Sequence, residues 1–139
     1  MISYEIDDKA DALKGLFEGT VWDNFFLVGA NFVSDLKLNI EPVKELKWGE
    51  VRPLVAETMN READESSFQI TLRPDWDLSE NEIFAGVDKV FVHLRLQNQK
   101  LYLITGISYQ TFVVGKTAER EWDRMIGVFL RKNHIAFEA

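Results

Sequence analysis

The chain contains no cysteine. That absence removes disulfides, thiolate metal sites and cysteine nucleophiles together. Histidine is nearly as scarce, with only His93 and His134 present, so a zinc site would draw most of its ligands from acids. The longest apolar runs, such as FFLV, fall far short of the ~20 residues a membrane span needs. The opening residues MISYEIDDKADALKG lack a basic segment followed by an apolar stretch, so no signal peptide is expected and a cytoplasmic location is. Cations are outnumbered: 16 Lys and Arg stand against 23 Asp and Glu, a formal net charge of −7. The long-range field therefore repels phosphate backbones, and no membrane or nucleic-acid partner is expected from bulk charge. No stretch reads as a linker, and no period of about 20–50 residues repeats.

What is present fits one globular domain, residues 1–139, able to bury roughly 70% of its unfolded surface. Residues 2–6 (ISYEI) suit a strand. Asp7 or Asp8 then caps a helix in which Ile6, Ala10, Leu13 and Phe17 form a stripe, ending near Gly19. WDNFFLVGANFV (22–33) has the unbroken apolar character of a strand covered on both faces. Leu36, Leu38 and Ile40 alternate with polar neighbours, and Gly29 can mark a bulge. The pair is either one long bent strand or a hairpin. KWGEVRPLVAETMN sets Trp48, Val51, Val55 and Met59 on one helical face with Leu54 beside them, starting near Gly49 because Pro53 suits a first turn.

In SSFQITLR, Phe68, Ile70 and Leu72 face inward. Ser79 and Glu82 read as a capping box opening a short helix that ends near Gly86. Val90, Val92, Leu94 and Leu96 alternate with Phe91, His93, Arg95 and Gln97. A turn at Asn98-Gln99 leads to Leu101–Thr105, and a second turn at Gly106–Ser108 leads to Thr111–Val114, an antiparallel meander. Trp122, Met125, Ile126, Phe129 and Leu130 stripe a final helix over Thr117–Lys132, capped by Thr117 and about 24 Å long. The sum is an α+β fold: a mostly antiparallel twisted sheet of about six or seven strands, with two long helices and one short helix.

Chemistry is sparse. Thr105-Gly106-Ile107-Ser108 resembles a nucleophile turn only superficially, because Ser108 lacks a glycine two residues on and a strand follows in place of a helix. It reads as scaffold, and no catalytic residue is assigned. Asp75-Trp76-Asp77 and Glu62–Glu65 concentrate carboxylates without the spacing of a calcium loop, so no metal or cofactor is expected. Arg52 stands in the first turn of its helix, where its charge opposes the dipole. It either pairs with a carboxylate such as Asp23 or awaits an anionic ligand. Phe91, His93, Arg95 and Tyr109 are placed together on the outer face of the meander. That face is either covered by a helix or a partner-binding surface.

The ending TG-x-S-x-x-TF followed by E-x-x-WD-x-M-x-x-FLRK-x-x-I-x-FE, together with WDNFFLVGANF and W-x-x-VRP, resembles a family of small uncharacterised bacterial proteins found chiefly in anaerobic Gram-positive lineages. The resemblance implies a single-domain cytoplasmic bacterial protein and supplies no substrate, cofactor or catalytic residue. Three readings of function follow. The first is a non-enzymatic binding or assembly module, with a protein partner or a second copy on the aromatic face. The second is a small-molecule binder or enzyme with an anion-binding cleft at Arg52 and Asp23. The third is a clamp-like nucleic-acid-associated protein using Arg131, Lys132 and His134.

Overall fold

Among the described residues seven strands form one sheet in the order β3-β2-β4-β5-β6-β1-β7. The computed structural model describes residues 2–33, 37–58, 67–112 and 115–138. In chain order the elements are β1 (Ser3–Ile6), α1 (Lys9–Phe17), β2 (Phe26–Val33), β3 (Lys37–Ile40), α2 (Trp48–Thr58), β4 (Ser67–Arg73), a single 3-10 turn (Glu82–Phe84), β5 (Val87–Gln97), β6 (Lys100–Tyr109), α3 (Thr117–Lys132) and β7 (Phe137–Glu138). Every neighbouring strand pair is antiparallel. The fold is therefore α+β.

Alternation dictates which face each strand buries. In β4, Phe68, Ile70 and Leu72 are buried between half-exposed neighbours. In β5, Val90, Val92, Leu94 and Leu96 do the same. The helices supply the matching apolar surface. Trp48, Val51 and Val55 of α2, Leu16 of α1, and Trp122, Ile126 and Leu130 of α3 all join this one core. The Trp48 and Trp122 indoles also satisfy their N–H. Trp48 Nε1 donates to the Leu16 carbonyl at 2.8 Å, and Trp122 Nε1 donates to the Phe91 carbonyl at 2.9 Å. Trp22, Phe25, Trp76, Trp122 and Phe129 pack with successive ring centroids 5.0–5.7 Å apart. Trp76, from an acidic loop, thereby closes one end of the core.

Several expectations need correction. Among the described residues the helices run 9, 11 and 16 residues, which does not confirm two long helices and one short one. The short helix expected over 79–86 is a three-residue turn capped by Asn81, and Ser79 instead bonds Asp77. Asp8, of the two candidates, caps α1. Leu16 is that helix's buried residue, whereas Ala10 is exposed. Residues 22–25 are turn, and β2 is not covered on both faces: Val28 and Val33 are 41% and 44% exposed. β2 and β3 pair as a hairpin, and β2 shifts register against β4 between Leu27 and Gly29. α2 begins at Trp48 with Pro53 inside it, and Leu54 is 64% exposed. Lys116 occupies the cap position of α3, so Thr117 is its first helical residue. Leu36, Met59 and Glu62–Glu65 lie outside the described residues.

The largest departure concerns Gly106. β6 runs unbroken through it to Tyr109, so the second turn of the meander does not exist. Thr111 and Phe112 are not strand, and Val113 and Val114 lie outside the described residues. The Asn98-Gln99 turn does form, with φ of 52° and 64°, the left-handed pair that a two-residue hairpin requires.

Candidate functional site

The packing of all three helices on one side leaves the other face of the sheet without a covering element among the described residues. On that face Phe91, His93 and Arg95 of β5 stand between the buried valines and leucines. The Phe91 and His93 rings lie 6.3 Å apart and 26° from parallel. His93 Nδ1 shares a 2.8 Å hydrogen bond with Thr71 Oγ1 on β4. Arg95 donates through Nε and Nη2 to the Gln69 side-chain oxygen at 3.1 and 2.8 Å. On the other side, His93 is in register with Ile104 and Arg95 with Tyr102. Gly106 belongs to this arrangement, since a Cβ there would stand 3.0 Å from His93 Nε2. The glycine keeps the strand bare where the imidazole leans over it.

Tyr109 does not share this face. It is in phase with Leu101, Leu103 and Thr105 and packs against the core on the helix side. Burial, with a contribution from Glu119, pushes its phenol above the ordinary range. Tyr102 and Ile104 of β6 stand on the open face instead, and the unbroken alternation of LYLIT is the signal that places them.

Register also builds one polar row across the whole sheet: Asn39, Asn31, Gln69, Arg95, Tyr102, Glu5 and Glu138 face one another strand to strand. At about 4.8 Å per strand its amide-to-phenol part spans about 19 Å. Four of the five charged residues in β2, β4, β5 and β6 are cations: Arg73, Lys89, Arg95 and Lys100. Arg73 pairs with Glu45 and Lys100 with Glu5. Arg95 bonds the neutral Gln69, and no described carboxylate forms an ion pair with it. A chain that is acidic as a whole thus carries a locally basic, ring-bearing sheet face.

Burial first, then the charge of Arg95, holds the His93 imidazole below its ordinary value near 6.5. The unfolded chain therefore binds the proton more readily, and stability falls as pH drops through about 6.5 until the folded imidazole is itself protonated. Urea unfolding midpoints are expected to decline between pH 7.5 and 5.5, with His93→Gln flattening that decline. An unchanged slope in the variant would remove His93 as its source.

The second pair of candidate residues forms a clamp. Arg52 donates from Nε and Nη2 to the two carboxylate oxygens of Asp23 at 2.7 and 3.1 Å, and from Nη1 to the Phe17 carbonyl at 3.4 Å. The hydrogen bond to Asp23 raises the guanidinium further above its already high range. Gly49 permits the approach: a Cβ there would lie 2.9 Å from the Asp23 Cβ, while its N–H donates to the Asp23 carbonyl at 3.1 Å. The pair ties the end of α1 and the turn before β2 to the first turns of α2. At the end of α3, His134 has φ of 59°. The Ile135 and His134 N–H groups return to the carbonyls of Leu130 and Arg131, so His134 is the left-handed residue of a Schellman cap. Arg131 lies over the Phe137 ring at 5.4 Å. Asp75 pairs with Lys47, and the described residues contain no group of three potential metal ligands. No helix is long and apolar enough to cross a membrane among the described residues.

Residues 17–138 match a family of unknown function (DUF5721). The chain belongs to that family. No curated protein and no solved structure matches it. β1 and nearly all of α1 lie before the matched segment, although β1 is an interior strand of the sheet. Within the matched segment Asp23 and Arg52 form the clamp, Trp122 ties α3 to β5, and Thr105 donates to Asp123. A match to a family of unknown function leaves the open face to be read on its own chemistry.

Proposed function

We propose that this member of DUF5721 is a non-enzymatic binding or assembly module of the bacterial cytoplasm, with the open face of the sheet as its contact surface. One observation carries the reading. The helices pack on one side, while the other presents Phe91, His93, Arg95, Tyr102 and Ile104 on the two central strands β5 and β6. Half-buried rings beside a guanidinium are the residue types that dominate contact energies at interfaces. The Arg52–Asp23 pair is the weaker candidate, because both carboxylate oxygens and three of the five guanidinium N–H groups are engaged within the fold.

Native mass spectrometry of protein isolated under gentle conditions tests the reading. The unmodified chain is expected to carry an associated macromolecule, whether a second copy, another protein or a polynucleotide. A Phe91→Ala/Arg95→Ala variant is expected to lose it while keeping its melting temperature within a few degrees. Equal retention by the folded double variant would reject the face as the contact surface.

A further inference from the structure

We infer that the open face binds single-stranded nucleic acid, with bases on the rings of Phe91, His93 and Tyr102 and phosphates drawn to Arg95 and Lys89. This rests on the reading of that face as the contact surface. Three features select the partner. β5 and β6 carry Lys89, Arg95 and Lys100 against Asp88 alone, although the chain as a whole is at −7. The charge of these two strands thus has the opposite sign to the net charge that argued against a polyanion, with Lys100 paired to Glu5 and Arg95 free of any described carboxylate. The rings lie together on one face of an antiparallel sheet, and the bare Cα of Gly106 lets the His93 imidazole lean over β6. Every base has a π-face to stack on such rings, whereas duplex bases keep theirs buried. The row through Asn39, Asn31, Gln69, Arg95 and Tyr102 offers amide, guanidinium and hydroxyl groups to base edges across about 19 Å.

Other occupants fit less well. A second copy face to face, with its two-fold axis near the centre of β5, would bring the Lys89 and Arg95 cations of the two copies close together. An acidic peptide asks for closely spaced cations, and this face offers amides and rings between them. Glu5 and Glu138 close the row at the β1 and β7 end, and Asp88 lies at the bulge beside Lys89. A phosphate chain is therefore confined to the strands from β2 to β6.

Fluorescence anisotropy with labelled mixed-sequence 12-mers of RNA and of DNA, single- and double-stranded, tests the inference. At 50 mM salt the single strands are expected to bind in the micromolar range. Affinity should fall with salt at a log–log slope near −2, the value for about three phosphates on a single strand. Phe91→Ala is expected to weaken binding about tenfold or more, in line with the loss of one stacked base. Arg95→Gln should weaken it about fivefold and flatten the salt slope. Arg131→Gln/Lys132→Gln, away from the face, should change neither. The tighter of RNA and DNA identifies the natural strand. Absence of single-strand binding at 100 µM protein, preference for duplex, or indifference to Phe91→Ala and Arg95→Gln would each overturn the inference. If binding is absent yet the Phe91→Ala/Arg95→Ala variant sheds a protein partner or a second copy, the contact-surface reading survives without nucleic acid. If that variant also sheds nothing, both fall.

Discussion

Trp122→Ala is expected to destabilise the protein by about 3–5 kcal/mol, the range for emptying a fully buried tryptophan site. At this chain length that corresponds to a fall in Tm of about 10–15 °C. Trp122 is 1% exposed, stacks edge-on against Trp76 at 5.7 Å, and donates its indole N–H to the Phe91 carbonyl. Truncation therefore removes packing, opens a cavity beneath α3 and frees a tether between that helix and β5 at once. Trp122→Phe separates these parts. It keeps most of the ring and loses the hydrogen bond, so a cost of about 1–2 kcal/mol is expected. Chemical denaturation of both variants checks the ledger. A cost below 1 kcal/mol for the alanine variant would mean that α3 is not seated on the sheet through this residue.

Thr105→Val should cost about 2–3 kcal/mol despite the near-identical shape of the two side chains. Thr105 is fully buried. Its hydroxyl donates to Asp123 Oδ1 at 2.6 Å and accepts from the Ile2 N–H at 2.9 Å. The methyl that replaces it leaves a backbone donor and a carboxylate oxygen without these partners, and such orphaned groups cost about 1–3 kcal/mol each when water cannot reach them. Asp123 is only partly buried, which moderates its share. Thr105→Ser keeps the hydroxyl and is expected to lose about 1 kcal/mol or less. Equal losses for the valine and serine variants would show that packing, and not the hydrogen-bonded bridge, makes the site matter.

This bridge also answers what the Thr-Gly-x-Ser segment does. Thr105 points inward to Asp123, Gly106 leaves room for His93 on the opposite face, and Ser108 reaches only toward the Lys89 carbonyl at 3.5 Å. The strands β4 and β5 and the helix α3 were legible in the sequence because each carries its own period, two or 3.6, over a long enough run. Gly106 was not legible as strand, since glycine signals a turn unless the cross-strand neighbour that needs the space is known. That single misreading broke β6 and reset its phase, which is why Tyr109 was placed on the wrong face. The partners of Arg52 and Asp23 could be suggested from charge and helix position, but not the closeness of Gly49 that lets them meet. The exposed side of the sheet could not be decided at all, because no local pattern reports whether a distant helix will cover a strand.

The place of β1 in the sheet bears on how the chain acquires its structure. Ser3–Ile6 lies between β6 and β7, with Ser3 opposite Ile104 and Glu5 opposite Glu138. Its hydrogen-bonding partners are about a hundred residues away, so its loop-closure entropy is among the largest the fold must overcome, and contacts of that range slow folding. The hairpin of β5 and β6 needs only the Asn98-Gln99 turn and can form early. β1 has no edge to add to until β6 exists, and β7 has none until β1 is in place. The order of assembly thus runs against the order of the sequence at this edge, with the second-to-last seat in the sheet filled by the first strand of the chain.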